Sequence, residues 1–462
     1  MKGSRKKPAS VFYLVALGCP KNLVDAELLS GALVKNGCML SLDPEAADLY
    51  IVNTCAFLPA ARGEAAREIE TALEWKSRVP GRRVAVCGCL TEYDKSSGEY
   101  RKRFPEVDLW SPVNDVERLS ELLAGSAPSS GKPCYLNSDA SPRLQLTLPH
   151  LSYLKIADGC NNRCTYCAIP KLRGSLRTRP QASVVREARM LVDSGVRELV
   201  IVAQDTTAFG MDRPGDGETL CSLLRELDEL PGDFAIRLLY THPAHYTDEL
   251  IGFLASSRRV LPYLDIPLQH ISDRILKAMN RHVTKAEIVE LLTKLRAAIP
   301  ELVLRTTFIV GFPGESEAEF AELCAFVRDF KFERMGVFPY AAEADTPAAK
   351  MKDQVPAEVA NERAGILMRR QIARMKRRNR NLIGTTARVL VDAVDPSGVA
   401  VARGVSDAPD IDNAVLIRDG ARLRPGERVK VLVVGTAGCD VVADRVTASR
   451  RTPGNKGKKA RP

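Results

Sequence analysis

The sequence predicts an α/β protein in three parts: an N-terminal doubly wound α/β domain, a central parallel β/α unit and a C-terminal small β-barrel. Three observations carry this expectation. Three short apolar runs near the start each end in a cysteine. Six strand-like runs between residues 151 and 338 alternate with amphipathic helical stretches. After Leu382 the chain changes to short β-type runs cut by Gly, Asp and Pro. Alternation of strands and helices implies a parallel sheet, and closely spaced short strands imply a small barrel. A chain of 462 residues has room for several cores. We expect an N-terminal domain over 10–125, a linker over 126–145, a core over 146–378 and a barrel over 380–449, with basic tails at 1–9 and 450–462.

The first run, Val11–Gly18, follows Lys2, Arg5, Lys6 and Lys7 and ends in Leu-Gly-Cys. Alone it resembles a lipoprotein signal, with an apolar core at the short end of the usual range. Two later stretches favour another reading. DLYIVNTC ends at Cys55 and RRVAVCGC at Cys89, each in the same context as VFYLVALGC at Cys19. Parallel strands that each finish in a cysteine bring the thiols to one edge of a doubly wound sheet, where such folds place ligands. Cleavage before Cys19 would destroy this set, so the run is read as the first strand. Cys87 and Cys89 share a face only if the strand runs as far as Cys89. Cys89 is chosen because it stands at the strand end, where Gly88 lets the chain turn. Buried packing is the plainer fate of a free thiol, and it is the one expected for Cys38, Cys134, Cys221, Cys324 and Cys439.

The central unit opens with Leu151–Ala157, followed directly by Cys160, Cys164 and Cys167 in C-x3-C-x2-C spacing. Gly159, Asn161 and Asn162 suit a tight loop. Three thiolates on one loop hold three corners of a cubane iron–sulfur cluster and leave one iron open to a small molecule. Structural zinc motifs supply two close pairs with a completing His or Cys, and no His lies near this loop. The remaining strand-like runs are Glu198–Ala203, Ala235–Tyr240, Val260–Ile266, Leu302–Gly311 and Phe332–Phe338. Their carboxyl ends carry Gln204 and Asp205, then Asp265, Gln269 and His270, then Gly311, Gly314 and Glu315. Functional loops of parallel β/α folds follow these ends.

Residues 362–380 form a basic helix-like link with eight Lys/Arg against one Glu. Beyond it come TARVLVDAVD, GVAVARG, NAVLIRDG and ERVKVLVVGTAG, read as a five-stranded barrel. Asp407, Asp410, Asp412 and Asp419 stand beside Arg403, Arg418 and Arg422 there, and aromatics for base stacking are few.

Charge and cysteine content narrow the partners. The ten positive charges of the two tails equal the whole net charge of +10, so residues 8–449 are formally neutral. The tails serve either as solubilising ends or as grip on a polyanion such as RNA or a ribosome. Twelve cysteines in a chain this long, clustered at metal-like spacing, point to metal or redox chemistry in a reducing compartment. No apolar run is long enough to cross a bilayer.

The C-x3-C-x2-C spacing, with Tyr166 before the last cysteine, resembles the radical S-adenosylmethionine (SAM) superfamily. The resemblance implies a partial (β/α)6 radical SAM barrel. It also implies that the open iron binds the amino and carboxylate groups of SAM, which reductive cleavage converts to a 5′-deoxyadenosyl radical. Tyr166, Gln204, Asp205, Gly311, Gly314 and Glu315 are then the expected SAM contacts. The order LGCPKN, NTCAF, CGCL and GCNNRCTYCAIP resembles the methylthiotransferases, radical SAM enzymes with a second cluster in an N-terminal domain and a C-terminal TRAM barrel.

One branch of that family modifies a tRNA adenosine, and another an aspartate of small-subunit ribosomal protein uS12. LGCPKN, AQDTTAFG, DIPLQH and ARGVSDAPDID look like the protein-modifying branch. RTRP at 177–180 departs from an expected Ser-Arg-Pro but keeps the hydroxyl. The resemblance implies two 4Fe-4S clusters, one on Cys160, Cys164 and Cys167 and one on Cys19, Cys55 and Cys89. The first makes the radical that removes a β-hydrogen, the second holds the sulfur to be transferred, and a second SAM gives the methyl group. It further implies a low-potential electron donor and uS12 as partner, either free or in the small subunit. The basic linker helix is either a solvated connection or, like the tails, a contact with ribosomal RNA, and we expect no membrane association and a cytoplasmic location. The tRNA 2-methylthiotransferase is the second reading. A non-catalytic iron–sulfur carrier or RNA-binding adaptor is the third, although a carrier gains nothing from open iron sites.

Overall fold

The computed structural model describes residues 10–112, 116–124 and 136–446. Both basic tails, Cys134 and residues 126–135 lie outside the described residues. The chain divides into two compact units, Met1–Met368 and Arg369–Pro462.

The first unit begins with a parallel five-stranded sheet. Its elements are β1 (Val11–Ala16), α1 (Pro20–Lys35), β2 (Met39–Leu40), β3 (Leu49–Thr54), α2 (Pro59–Ser77), β4 (Arg83–Gly88), α3 (Cys89–Tyr93) and β5 (Leu109–Trp110). Strand order is β2-β1-β3-β4-β5, with Val11–Ala16 therefore a central strand. Every residue of LYIVNT in β3 is buried, as expected of a strand covered by helices on both faces. Pro20 and Pro59 sit at the first positions of α1 and α2, where a missing N–H costs nothing.

The same unit continues into six parallel strands in simple chain order: β6 (Leu151–Lys155), β7 (Glu198–Val202), β8 (Ala235–Leu238), β9 (Val260–Asp265), β10 (Val303–Val310) and β11 (Arg334–Pro339). All six expected runs form strands. The sheet does not close on itself, which makes it a partial (β/α)6 barrel. Its core is built from residues such as Leu199, Ile201, Leu264 and Phe308 on the strands and Leu223, Ile288 and Leu323 on the helices. Parallel pairing throughout puts every strand's carboxyl end on one rim.

The two sheets are laced together within this unit. A Cβ on Gly31 of α1 would lie 2.5 Å from the Pro142 carbonyl, so the chain crosses α1 at backbone contact. Arg143 beside it is 9% exposed and pairs with the fully buried Glu27 of α1 and, at 2.6 Å, with Glu187 of the helix Gln181–Asp193. A two-residue antiparallel ladder, Ala157–Asp158 with Arg177–Thr178, closes the base of the cysteine loop.

The second unit contains the later part of α4 (Ala357–Asn381) and a closed barrel of β12 (Thr386–Val394), β13 (Ala400–Arg403), β14 (Val415–Ile417), β15 (Arg428–Ala437) and β16 (Asp440–Arg445). Val389, Val391, Ala402, Ile417 and Val431 fill it. Closure removes the open edges a small sheet would otherwise expose. Among the described residues, no helix is long and apolar enough to cross a membrane.

Candidate active site

The N-terminal sheet reverses its winding between β1 and β3, the switch point at which doubly wound folds open a crevice. Cys19 follows β1 and caps α1, Cys55 follows β3, and Cys89 opens α3 after β4. Two glycines allow the loops to meet. Gly18 has φ +90°, and a Cβ there would sit 2.5 Å from the Cys55 Cβ and 2.9 Å from its Sγ. Gly88 has φ +97°, and its Cβ would fall 2.3 Å from the Thr54 carbonyl oxygen. Polar side chains tie the same loops. Asn22 Nδ2 donates to Leu17 O at 2.7 Å and to the Asn53 and Thr54 carbonyls at 3.3 Å. Asn53 returns a bond to Asn22 O at 2.8 Å. Thr54 Oγ1 donates to Cys87 O at 2.6 Å and accepts from Leu90 N at 3.2 Å. The asparagines and threonine of LGCPKN and NTC thus hold strand ends together. Cys87 turns into the apolar core with Phe12 and Ile51, as Cys38 does, and Cys221 lies in the core of the second sheet.

The second triad stands on the loop after β6. Gly159, with φ +78°, lets the loop mouth pinch shut, since a Cβ there would be 2.1 Å from Ser175 O. Cys160 N donates to Gly174 O across the mouth at 3.2 Å. The end of β7 and the segment after the helix Asp273–Ala278 hold the loop from outside. Asn162 Nδ2 donates to Asp205 Oδ2 at 2.7 Å. Asn280 Nδ2 donates to Arg163 O at 3.0 Å, Thr165 N to Met279 O at 3.1 Å, and Arg281 Nη1 to Cys164 Sγ at 3.7 Å. Arg163, Tyr240, Gln269, Asn280 and His282 all have positive φ. Left-handed backbone at non-glycine residues costs roughly 1–3 kcal/mol each and collects where a site must be shaped.

The two triads line one cavity of about 490 Å3. All six cysteines face it, with Tyr166, Gln204 and Asp205 among the expected SAM contacts and Gln269 from the neighbouring strand end. Gly311, Gly314 and Glu315 do not line it. Gly311 is instead the seat of a helix, since a Cβ there would lie 2.3 Å from the Ala360 Cβ. Glu315 folds back to accept from Gly311 N and Phe312 N and to pair with Arg363 at 3.2 Å. Asp265 pairs with Arg305 at 2.8 Å, and buried His270 accepts from Ser272 N at 3.0 Å. The sequence reading missed Lys21, Arg173, Tyr240, His242 and Arg281, which also line the cavity.

Arg173 is the junction between the triads. Its Nε donates to Cys89 Sγ at 3.3 Å and its Nη2 to Asn22 Oδ1 at 3.2 Å. Its Nη1 meets Asp25 at 2.6 Å and Asp158 at 3.3 Å. Lys155 joins the same two carboxylates. Asn22, Asp25 and Cys89 belong to the N-terminal sheet's elements, and Lys155, Asp158 and Arg173 to the cysteine loop and its strand. All of these charged groups are buried. Gln204 Nε2 donates to Asp158 Oδ1 at 2.8 Å, which carries the network to the next strand end.

The thiols are held away from their ordinary acidity. Burial pushes Cys89 and Cys167 up to about 12 and Cys160 up to about 11, and it raises Cys55 as well. Thiols so placed ionise only against positive charge in the cavity, which bound metal supplies. In neither triad are the sulfurs gathered to single-ion spacing. Among the described residues, the group of three ligating atoms lying within 4.8 Å of one another is Asp205, His242 and His245, not either cysteine triad. A tetrahedral zinc with Zn–S near 2.3 Å needs sulfurs roughly 3.8 Å apart. Asp205, His242 and His245 form a polar cluster of their own. Burial opposes ionisation of Asp205, but His245 at 2.9 Å and Thr207 outweigh it and hold the carboxyl at about 2. Burial, with Arg281 nearby, lowers His242 to about 2 and keeps it neutral.

Comparison with known proteins agrees with this architecture. A family model described as the radical SAM superfamily matches residues 154–327. One described as the uncharacterized protein family UPF0004 matches 11–111, and a TRAM domain matches 383–446. The ribosomal protein uS12 methylthiotransferase RimO of Syntrophus aciditrophicus is 41% identical over 448 residues, covering 94% of this chain and 98% of that protein. The protein of the same name from Syntrophotalea carbinolica is 42% identical over 457 residues, covering 97% and 100%. Among solved structures, the radical SAM methyltransferase TsrM from Kitasatospora setae shares the fold at a TM-score of 0.53 and 14% identity, over 84% of this chain and 79% of that one. Matched along nearly its whole length by relatives of one name, and in its parts by three family models, the chain belongs to the RimO methylthiotransferases of the radical SAM superfamily.

Proposed function

We propose that this protein inserts a methylthio group at the β-carbon of an aspartate of ribosomal protein uS12, with one 4Fe-4S cluster on Cys160, Cys164 and Cys167 and another on Cys19, Cys55 and Cys89. The observation that carries the reading is the convergence of both triads on one cavity. Breaking an unreactive C–H bond and placing sulfur on the same carbon requires both centres within reach of one substrate. When bound, the first cluster supplies the electron that cleaves SAM and the second an open iron for the sulfur. The chain's own groups do the rest. Arg173 and Arg281 set positive charge against the ligand sulfurs. Tyr166, Gln204, Asp205 and Gln269 line the space for SAM, and Gln204 Oε1 and Gln269 Oε1 are buried acceptors without a partner among the described residues. A carrier has no use for this enclosed room.

The protein works in the cytoplasm, with a low-potential electron donor. Arg369, Arg370, Lys376, Arg377 and Arg380 on α4 are exposed, which suits a contact with ribosomal RNA around the substrate.

Mass spectrometry of a strain lacking this protein, beside its complemented parent, tests the assignment. The target peptide of uS12 is expected to lose a methylthio mass increment that wild type restores. Loss from digested tRNA with the peptide unchanged would overturn the choice of substrate.

A backbone variant tests the N-terminal triad separately. Gly18→Ala must adopt a left-handed conformation, which costs about 1–2 kcal/mol, and must displace Cys55. Gly37 has a similar φ of +86° but open space around it. Reconstituted Gly18→Ala protein should hold about half the iron of wild type, whereas Gly37→Ala should hold all of it. Full iron in Gly18→Ala would remove Cys55 from the ligand set.

A further inference from the structure

The cavity contains three cationic side chains, Lys21, Arg173 and Arg281. Two of them are already engaged. Arg173 holds Cys89, Asn22, Asp25 and Asp158, and Arg281 holds Cys164 and the Pro267 carbonyl. Lys21 differs. It is 9% exposed, two residues beyond Cys19. Its Nζ stands 3.4 Å over the Tyr240 ring, at the carboxyl end of β8. The side chain thus reaches from the N-terminal sheet to the rim of the second. Among the described residues, the structure gives its ammonium neither a carboxylate in ion-pair range nor a hydrogen-bond acceptor, and Asp265 beyond Tyr240 is committed to Arg305.

At 9% exposure, facing the cavity with no carboxylate among the described residues at ion-pair distance, the ammonium carries a partial desolvation cost. The Tyr240 face offsets part of that cost but accepts none of the three N–H bonds. The missing partner is an anion that arrives from outside. The cavity must admit the carbon that receives the methylthio group, and in the proposed substrate that carbon is bonded directly to a carboxylate. We infer that Lys21 binds the side-chain carboxylate of the substrate aspartate and so selects an acidic side chain over a neutral one. A nucleobase brings no anionic atom to this position, so the same residue disfavours a tRNA adenosine. Gripping the carboxylate also fixes the adjacent β-carbon in the room between the two triads.

This inference rests on the proposed function, and one experiment separates them. Full-length uS12 with Asp, or with Asn, at the modified position competes for the reconstituted protein, free and within the small subunit. The readout is the ratio of kcat/KM for Asp over Asn, by mass spectrometry of the methylthiolated peptides. Wild type is expected to prefer Asp on the order of 10²-fold, the scale of one partner lost from a buried charge pair. Lys21→Met should bring the ratio close to one, chiefly through the KM for Asp. Where Lys21→Met fails to assemble its clusters, Lys21→Arg and Lys21→Gln decide, since Arg keeps the preference and Gln loses it. A Met or Gln variant that still prefers Asp as wild type does would overturn the inference and leave the proposed function intact. Wild type that modifies neither form of uS12 but modifies tRNA would overturn the proposed function itself. SAM also carries a carboxylate, so a Lys21 variant whose KM for SAM rises while its Asp preference stays fixed would assign the ammonium to the cofactor and sink the substrate role.

Discussion

Cys89→Ala is expected to abolish methylthio transfer to uS12 while SAM is still reductively cleaved; Cys160→Ala is expected to lose both. The asymmetry follows from where the two thiols stand. Cys89 caps a strand of the N-terminal sheet, and its removal leaves the loop bearing Cys160, Cys164 and Cys167 pinned by Gly174, Asp205, Met279 and Asn280. Iron should fall from roughly eight to roughly four per chain in either variant, as befits the loss of one cubane cluster. The measurements are iron content, 5′-deoxyadenosine formed per turnover, and methylthiolated uS12 by mass spectrometry. Cys87→Ala serves as the contrast, because Cys87 packs in the apolar core with Phe12 and Ile51 and faces away from the cavity. It should cost stability through a small void, about 1 kcal/mol, and leave iron and transfer in place. A Cys87→Ala protein that lost half its iron while Cys89→Ala kept it would reverse the choice between the two thiols.

The choice of Cys89 over Cys87 shows what the sequence made legible. Strands were readable because buried parallel strands are apolar, β-branched runs. The six cysteines that line the cavity stood out because each lies at the end of such a run or on a loop directly after one. Interior polar groups were not readable in this way. Lys21, Asn22 and Asp25 lie at the start of a helix after a proline, where charged and polar residues ordinarily face water. Arg173 follows the cysteine loop like any solvated basic residue. Only the approach of the two sheets puts these groups face to face. Gly311 misled in the opposite direction. A glycine at a strand end reads as a place where a ligand approaches backbone, yet here the close approach is made by Ala360 of a packed helix. A glycine signals close contact without naming the partner.

Arg173 offers the sharpest energetic test of how the two sheets are joined. Arg173→Met would leave Asp25 and Asp158, both buried, with Lys155 as their remaining cation. Removing one partner from a buried ionic cluster costs about 3–5 kcal/mol, because the surviving charge stays desolvated. The first unit should therefore unfold at clearly lower urea in Arg173→Met. Arg173→Lys should recover little, since a single ammonium cannot make the four-way fork to Cys89, Asn22, Asp25 and Asp158. Asp25→Asn in the Arg173→Met background should return part of the loss, because it removes one of the unbalanced charges. That coupling distinguishes a charge network from mere loss of side-chain volume, which Asp25→Asn could not repair. A second effect concerns the Cys89 sulfur, which receives the Nε hydrogen bond. Hydrogen bonds to ligand sulfur stabilise the reduced cluster, so where Arg173→Lys retains its iron, the N-terminal cluster should titrate at a lower potential than in wild type while the other cluster stays put. Equal urea midpoints and unchanged potentials in all three variants would mean that the sheets are held by packing and Arg143 alone. Arg173 would then be a spectator between them.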